Sequence, residues 1–392
     1  MSEERINSPR AEIDAIDRDI LRLLNRRAEI ALEVGAAKTS ADTSLCDPNR
    51  EREVIARLAG ENPGPFDERS IASIFQRIID ESLFLQQQAY HRPFAHAAAA
   101  AADAPVMPGR SRVAFLGERG TFSEEAALGI LGEDCETVSF PTFETLFKAI
   151  DEGKADLILS PLENSLVGSV HRCYDLLLKS SLNIVADIIL PVSHFLIACP
   201  GATIETIRVV ESHPAALAQC ERFFAGHPGL RGVAADDTAG SVRRAVESGD
   251  VTRAAIGGRR TAAIYGGTVL REHIEDHSDN FTRFALLSPS ANEVSDGAGK
   301  VSLVITLKHR PGALHNALRP FVRRGLDLLK IESRPIKDRP SQFYFYLDVR
   351  SPAGESEIRG ALDEVAEQSE SVRFLGRYPT IELGSERLSA IS

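Results

Sequence analysis

The sequence predicts a multidomain protein of three fold classes: an all-α segment, an α/β segment and a small α+β segment. Three observations carry this. Residues 8–90 show helical periodicity only. From Val113 onward, apolar strand-like runs alternate with helical patterns, as in α/β units. From Lys300 to about Tyr378 a strand–helix–strand–strand–helix–strand order follows, a ferredoxin-like pattern. Patternless stretches separate them: RPFAHAAAAAADAPVMPGRS at 92–111 and SPSANEVSDGAGK at 288–300. The expected partition is a helical domain at 1–91, a linker at 92–111, an α/β domain at 112–288, a linker at 289–299 and an α+β domain at 300–381.

The bulk numbers narrow the function classes. A chain of 392 residues with 43% hydrophobic and 26% charged residues suits a soluble multidomain protein. A net charge of −11 argues against a nucleic-acid partner, which asks for a basic face, but allows small anionic substrates at a locally basic site. Cys46, Cys135, Cys173, Cys199 and Cys220 are odd in number and scattered, with no CxxC or Cys/His ligand spacing. Neither disulfides nor a metal are expected, no cofactor motif stands out, and reduced thiols fit the cytoplasm. The start MSEERINSPR has no apolar secretory core, and Ala97 to Ala102 is too short to span a bilayer, so no membrane partner is expected.

In the helical segment, Ser8-Pro9 reads as a helix start. Ile13, Ile16, Ile20, Leu23, Leu24, Ile30, Ala31 and Val34 then keep helical spacing towards Lys38. Such a helix is about 45 Å long, too long for one small domain to cover. Asp47-Pro48 opens a second helix ending near Gly60, and a third runs from about Asp67 to Gln88. Arg27, Ala31, Val34 and Lys38 share one face. On the third helix Ser82 and Gln86 interrupt the apolar row of Ile71, Phe75 and Ile78. Taken singly, such residues usually solvate a surface or satisfy themselves in a core. Together they ask for a polar partner, and a ligand is one candidate.

RAEIDAIDRDILRLLNRRAEIALEVGAAK, DPNRERE and FQRIIDESLFLQQ resemble the all-helical chorismate mutases across nearly all of residues 8–90. The resemblance implies site positions at Arg10, Arg27, Lys38, Asp47, Arg50, Glu51, Ser82 and Gln86. Chorismate is a dicarboxylate that rearranges to prephenate without a nucleophile. Guanidinium forks suit its carboxylates, holding the reactive conformer is an orientation effect, and Lys38 and Gln86 would donate to the ether oxygen as charge builds there. Glu51 is expected at the ring hydroxyl. Arg10 lies 17 residues before Arg27 on one helix, about 25 Å away, so it would serve a partner's site.

The α/β segment carries FLGERGTFSEEAAL, LSPLENSLVGSV, ESHPAALAQC, DDTAGSVRRAV, AAIGGRRTAAIYGG and DNFTRF at expected strand ends. Singly these are ordinary βα turns, although a helix start at Thr121 and Ser123 offers anion-binding N–H groups. Together they resemble prephenate dehydratase over the whole domain. The resemblance implies a two-lobed α/β fold like periplasmic binding proteins, with lobe crossings near 190 and 267. It also implies catalytic roles for Thr282, Glu163, Asn164 and Gln219, and substrate contacts from Thr121, Ser123, Ser165, Ser212, His213, Arg283 and Phe284. Arg283 has a second reading, as an ion pair that holds the cleft, and a His before Pro is more often structural than a base. Glu118 and Ala215 depart from the Pro and Gln common in the family.

GALHNAL and ESRP resemble the phenylalanine-binding motifs of ACT regulatory domains. That implies a regulatory site at Gly312, Ala313, Leu314, Glu332, Ser333, Arg334 and Pro335, with His315 where Val is common. Gly312 would allow close backbone approach. The three resemblances together imply a bifunctional chorismate mutase–prephenate dehydratase, with chorismate and prephenate as substrates, phenylalanine as allosteric inhibitor, and a homodimer that leaves pairing into tetramers open. A non-enzymatic, amino-acid-responsive regulator is the alternative, as is a mutase domain kept only for dimerisation. Two complete residue sets argue against both. If sites are shared across the dimer, verified heterodimers of an Arg10→Ala and an Arg27→Ala chain regain mutase activity that neither homodimer has.

Overall fold

The computed structural model describes residues 2–41, 45–90, 111–132, 134–290, 299–337, 339, 341–351 and 355–384. Residues 92–110 and 291–298 of the expected linkers lie outside these. Packing divides the chain into two units. One comprises Met1–Ala98, Ile305–Phe345 and Gly354–Val372, and the other Ala99–Val304, Tyr346–Ala353 and Arg373–Ser392.

The first unit opens with α1 (Ser2–Ser40), α2 (Pro48–Gly60) and α3 (Glu68–Tyr90). α1 starts earlier than the Ser8-Pro9 signal implied, and Pro9 lies inside it. An interior proline forfeits one N–H bond, at about 3 kcal/mol, which the long run of helical bonds after it outweighs. The other starts match their caps: Asp47 accepts from the Arg50 N–H at 3.0 Å and Asp67 from the Ser70 N–H at 2.7 Å, each worth about 1 kcal/mol. α1 and α3 approach closely at Gly35, where a Cβ would come within 3.0 Å of the Gln86 and Tyr90 side chains. Elsewhere α1 keeps its apolar row uncovered, with Ile13, Ile16, Ile20 and Leu23 between 48% and 58% exposed.

The α/β segment begins β1 (Arg112–Leu116), α4 (Phe122–Leu131), β2 (Glu136–Phe140), α5 (Phe143–Lys148), β3 (Leu157–Asn164), β4 (Gly168–Ser169), α6 (His171–Lys179) and β5 (Asn183–Pro191). It continues as β6 (Phe195–Ala198), β7 (Val209–Ser212), α7 (Pro214–Ala218), α8 (Glu221–Gly226), β8 (Arg231–Ala234), α9 (Thr238–Glu247), β9 (Arg253–Gly257), α10 (Arg259–Tyr265), β10 (Thr268–Arg271) and β11 (Phe281–Ser288). The remaining elements are β12 (Gly299–Thr306), α11 (Ala313–Val322), β13 (Leu328–Pro335), β14 (Phe343–Ser351), α12 (Glu355–Gln368), β15 (Ser371–Tyr378) and β16 (Thr380–Glu382). The βαββαβ order from β12 to β15 is the one expected.

Two sheets make the two lobes. The first is ordered β16-β5-β11-β3-β1-β2, with β4 on β3, and the second β10-β6-β9-β7-β8. A third sheet is ordered β13-β14-β12-β15. The first lobe crossing, at 192–194, lies near 190 as expected. The second falls at 272–280 rather than near 267, because Val269 still pairs with Ile197 on β6 and so keeps β10 in the second sheet. The last strand, β16, returns to the first sheet parallel to β5, Ile381 opposite Ile188.

β11 is the axis of the first lobe, antiparallel to both β3 and β5. Phe284 and Leu286 point into a core with Leu159, Ile188 and Leu383, each such side chain contributing about 1.5–3 kcal/mol. Against β3 the register shifts between Arg283, opposite Glu163, and Phe284, opposite Pro161. Pro161 has no N–H to give to a ladder, and a bulge there absorbs the loss and leaves Leu162 as the extra residue. The bulge re-aims the end of β3 that carries Glu163 and Asn164.

Gly376 on β15 has φ 148, and a Cβ there would collide with the Ile184 carbonyl on β5. Gly376→Ala is expected to destabilise this unit by about 2–3 kcal/mol, read as a lower midpoint in chemical denaturation. An unchanged midpoint contradicts the close approach.

Candidate active sites

In the helical unit, α1 and α3 bring Arg27, Ser82 and Gln86 to one seam. Arg27 donates to the Ser82 hydroxyl at 2.5 Å, and Gln86 donates to the Ala31 carbonyl. Ser82 and Gln86 are thus both polar interruptions of a packed row and partners of the facing helix. Lys38 reaches the Leu45 carbonyl at 3.0 Å, beside the loop that leads to Asp47 and Arg50. Those two are exposed, Asp47 as cap of α2 and Arg50 paired with Glu53 at 3.3 Å.

Glu51 is engaged by Arg323, the residue that ends α11. Arg323 also lies 3.6 Å from Asp80, which Arg319 holds at 3.0 Å. Burial pushes the Glu51 carboxyl up, and Arg323 pulls against it. Arg10 is exposed, 17 residues before Arg27 on the same helix and apart from this cluster.

In the α/β unit, the ends of β3 and β11 meet. The Asn164 amide donates to the Thr282 hydroxyl at 3.1 Å, to Asn280 Oδ1 at 2.9 Å and to the Phe281 carbonyl at 3.0 Å. Its oxygen accepts from the backbone of Leu166 and Val167, each at 3.1 Å, and from Gln219 at 3.4 Å. Gln219 in turn accepts from Asn280 at 3.1 Å and meets His194 Nε2 at 2.7 Å. Ser165 ties the same loop by donating to the Asp279 carbonyl at 3.2 Å. The result is a fixed polar cluster with the Thr282 hydroxyl at its edge.

Comparison with known proteins gives the cluster its context. Residues 9–87 match the chorismate mutase type II family model and residues 113–292 the prephenate dehydratase model. The bifunctional chorismate mutase/prephenate dehydratase of Neisseria gonorrhoeae is 34% identical over 375 residues, covering 95% of this chain and 97% of that one. The chain belongs to that family. The Aquifex aeolicus member is 31% identical over 381 residues, covering 96% of this chain and 98% of its own. A solved prephenate dehydratase from Arthrobacter aurescens, in complex with L-Phe, is 32% identical with a TM-score of 0.63, covering 68% of this chain and 90% of that one. As a member of the family, the protein rearranges chorismate to prephenate, then dehydrates and decarboxylates prephenate to phenylpyruvate.

Within this mutase–dehydratase, several expected residues stand apart from the polar cluster. Phe284 is 2% exposed: it leaves β11 on the same face as Thr282, two residues on, but packs in the core beneath with Leu286 and Ile188. Ser212 is fully buried and donates to the Ile256 carbonyl at 2.8 Å. His213 caps α7, accepting from the Ala215 N–H at 3.2 Å. At the α4 start, Thr121 and Ser123 are buried, and Glu124 already takes the Gly120 N–H at 2.6 Å. Glu118, at the turn where the family often has Pro, forms a bidentate pair with Arg243 at 2.7 and 2.9 Å. Thr261 donates to the Gly120 carbonyl at 2.7 Å and the Tyr265 hydroxyl to the Arg119 carbonyl at 3.1 Å, so three residues of the second lobe hold the same turn.

Sequence reasoning missed Asn280 and His194. Asn280 lies inside the DNFTRF stretch, but nothing in its type distinguishes it from a turn residue. His194 comes from the lobe crossing, far from any motif. It is buried, its Nδ1 has no hydrogen-bond partner among the described residues, and burial holds its pKa below 6.5 although Gln219 opposes this. The fold therefore keeps it neutral while the unfolded chain takes up a proton near pH 6.5. Stability from this group is fully present above about pH 6.5 and is lost as pH falls through and below that value. Denaturation midpoints of the wild type should fall over that window more steeply than those of His194→Gln, and parallel curves would contradict the assignment.

Proposed function

We propose that the two reactions use two separate sites, one on α1–α3 within residues 1–91 and one in the cleft of residues 112–288, and that residues 300–381 form a phenylalanine-sensing ACT domain. The observation that carries the dehydratase assignment is the Asn164 amide donating to the Thr282 hydroxyl. With its oxygen acting as acceptor, Thr282 is left to donate its own proton outward.

Prephenate becomes aromatic when the ring carboxylate leaves as carbon dioxide. The electron pair of that C–C bond enters the ring and expels the ring hydroxyl, which departs as water once it has a proton. Thr282 donates a hydrogen bond to the departing oxygen. An alcohol is a weak acid at neutral pH, so placement and charge stabilisation carry most of the effect. Asn164, Gln219 and Ser165 hold the substrate, and Glu163 lines the same strand end, about one-third exposed. The enzyme requires no cofactor for either step.

In the mutase site Arg27 and the partner subunit's copy of Arg10 bind the carboxylates, Lys38 and Gln86 donate to the ether oxygen, and Glu51 faces the ring hydroxyl. Chorismate then has to compete with Arg323 for Glu51 and with the Ala31 carbonyl for Gln86. The bare apolar row of α1 supports a homodimer that covers it. At the sensor, Gly312 has φ 77 with nothing within 4 Å of its Cβ direction. Glycine is favoured there by backbone conformation at the start of α11, rather than by close approach.

Thr282→Val keeps the shape and removes the hydroxyl. Dehydratase turnover is expected to fall about a hundredfold while mutase turnover on the same chain is unchanged; near-native phenylpyruvate formation would remove Thr282 from the mechanism. Phenylalanine should slow prephenate turnover in the wild type and lose its effect in Gly312→Val, whose β-branched side chain opposes positive φ.

A further inference from the structure

Arg283 follows Thr282 on β11, so the two side chains leave the strand on opposite faces. The Arg283 side chain is 9% exposed. Its Nε lies 2.6 Å from Asp187 on β5 and its Nη1 2.7 Å from Asp348 on β14. The same Nη1 is 3.7 Å from Glu163 on β3, the residue paired with Arg283 across the bulge. One guanidinium nitrogen therefore faces two carboxylates: a close one from the third sheet and a more distant one at the cleft.

The surroundings fix the close one. Asp348 accepts from the Ser302 hydroxyl, which also meets the Tyr378 hydroxyl. Tyr378 lies 3.4 Å from Arg283 Nη2. Asp187 is shared with Lys300 and accepts from Thr380 at 3.3 Å. Burying such a network is a poor way to gain stability, because apolar side chains of the same volume do as well or better. What charges add is a fixed geometry, here at the residue between Thr282 and the core.

We propose that Asp348 is a positioning residue of the dehydratase reaction: it holds Arg283 away from Glu163, and thereby keeps Glu163 and the Thr282 end of β11 in their working places. The inference rests on the reading of Glu163 as a site residue. Without the Asp348 charge, Arg283 Nη1 turns to the remaining carboxylate, draws Glu163 off the cleft and pulls on the strand that carries Thr282. No residue of the substrate site need change identity for turnover to fall.

The test is a double-mutant cycle on the full chain, with mutase turnover as the internal measure of folded enzyme. Asp348→Asn keeps the shape and removes the charge. It is expected to lower dehydratase kcat about ten- to a hundredfold, with KM for prephenate within about twofold and mutase turnover unchanged. Combined with Glu163→Gln, it should add little to the effect of Glu163→Gln alone, because both act through one group. Should Asp348→Asn reduce folded yield, Asp348→Glu, which keeps the charge and shifts it by one methylene, enters the same cycle with the same non-additivity expected. Additive effects, or a native kcat for Asp348→Asn, overturn the inference while leaving Glu163 in the site. A native kcat for Glu163→Gln overturns instead the reading on which it rests.

Discussion

The buried guanidinium of Arg283 is the constraint around which the dehydratase half is arranged. Burial alone would work against its charge, but Asp187 and Asp348 outweigh that and hold its pKa well above the usual arginine range. A permanent cation in a core has to be surrounded, and the groups around this residue of β11 come from β5, β12, β14 and β15. Strands separated by many residues in sequence are thus pinned to one point. The same point sits one residue from the Thr282 hydroxyl. A single charge-balanced node thus ties the core of this unit to the strand end that carries Thr282.

Much of this was legible in the sequence, and the legible parts share a cause. Asp47-Pro48, Asp67 and the apolar row of α1 report local physics, namely caps and periodicity, so the helices fall close to where they were read. Asn164, Gln219 and Thr282 were found through motifs and do converge. The misses are non-local. Asn280 and His194 have functional partners only because the crossing segments of two lobes come together. Phe284 lies two residues from Thr282 on the same face of β11 but belongs to the core, since it is far enough inside the sheet to pack with Leu286 and Ile188. Pro9 inside α1 is the converse case: a local start signal overridden by the helix that runs through it.

The helical half shows a different economy of contacts. Its polar residues are satisfied without substrate: Arg27 by Ser82, Gln86 by Ala31, Glu51 by Arg323. Such matched donors and acceptors tie α1 to α3 and fix the rotamers of all three side chains.

The position of Asp348 also bears on how the polypeptide can be divided. A cut after β11 removes β12, β14, β15 and β16 together. It would expose Leu383's place in the first-lobe core, and would leave Arg283 with Asp187 as the remaining close carboxylate among those described here. A fragment trimmed at that point is therefore not the native dehydratase minus an appendage. It is a protein with an opened core and an unbalanced interior charge, and its folding would be weakened.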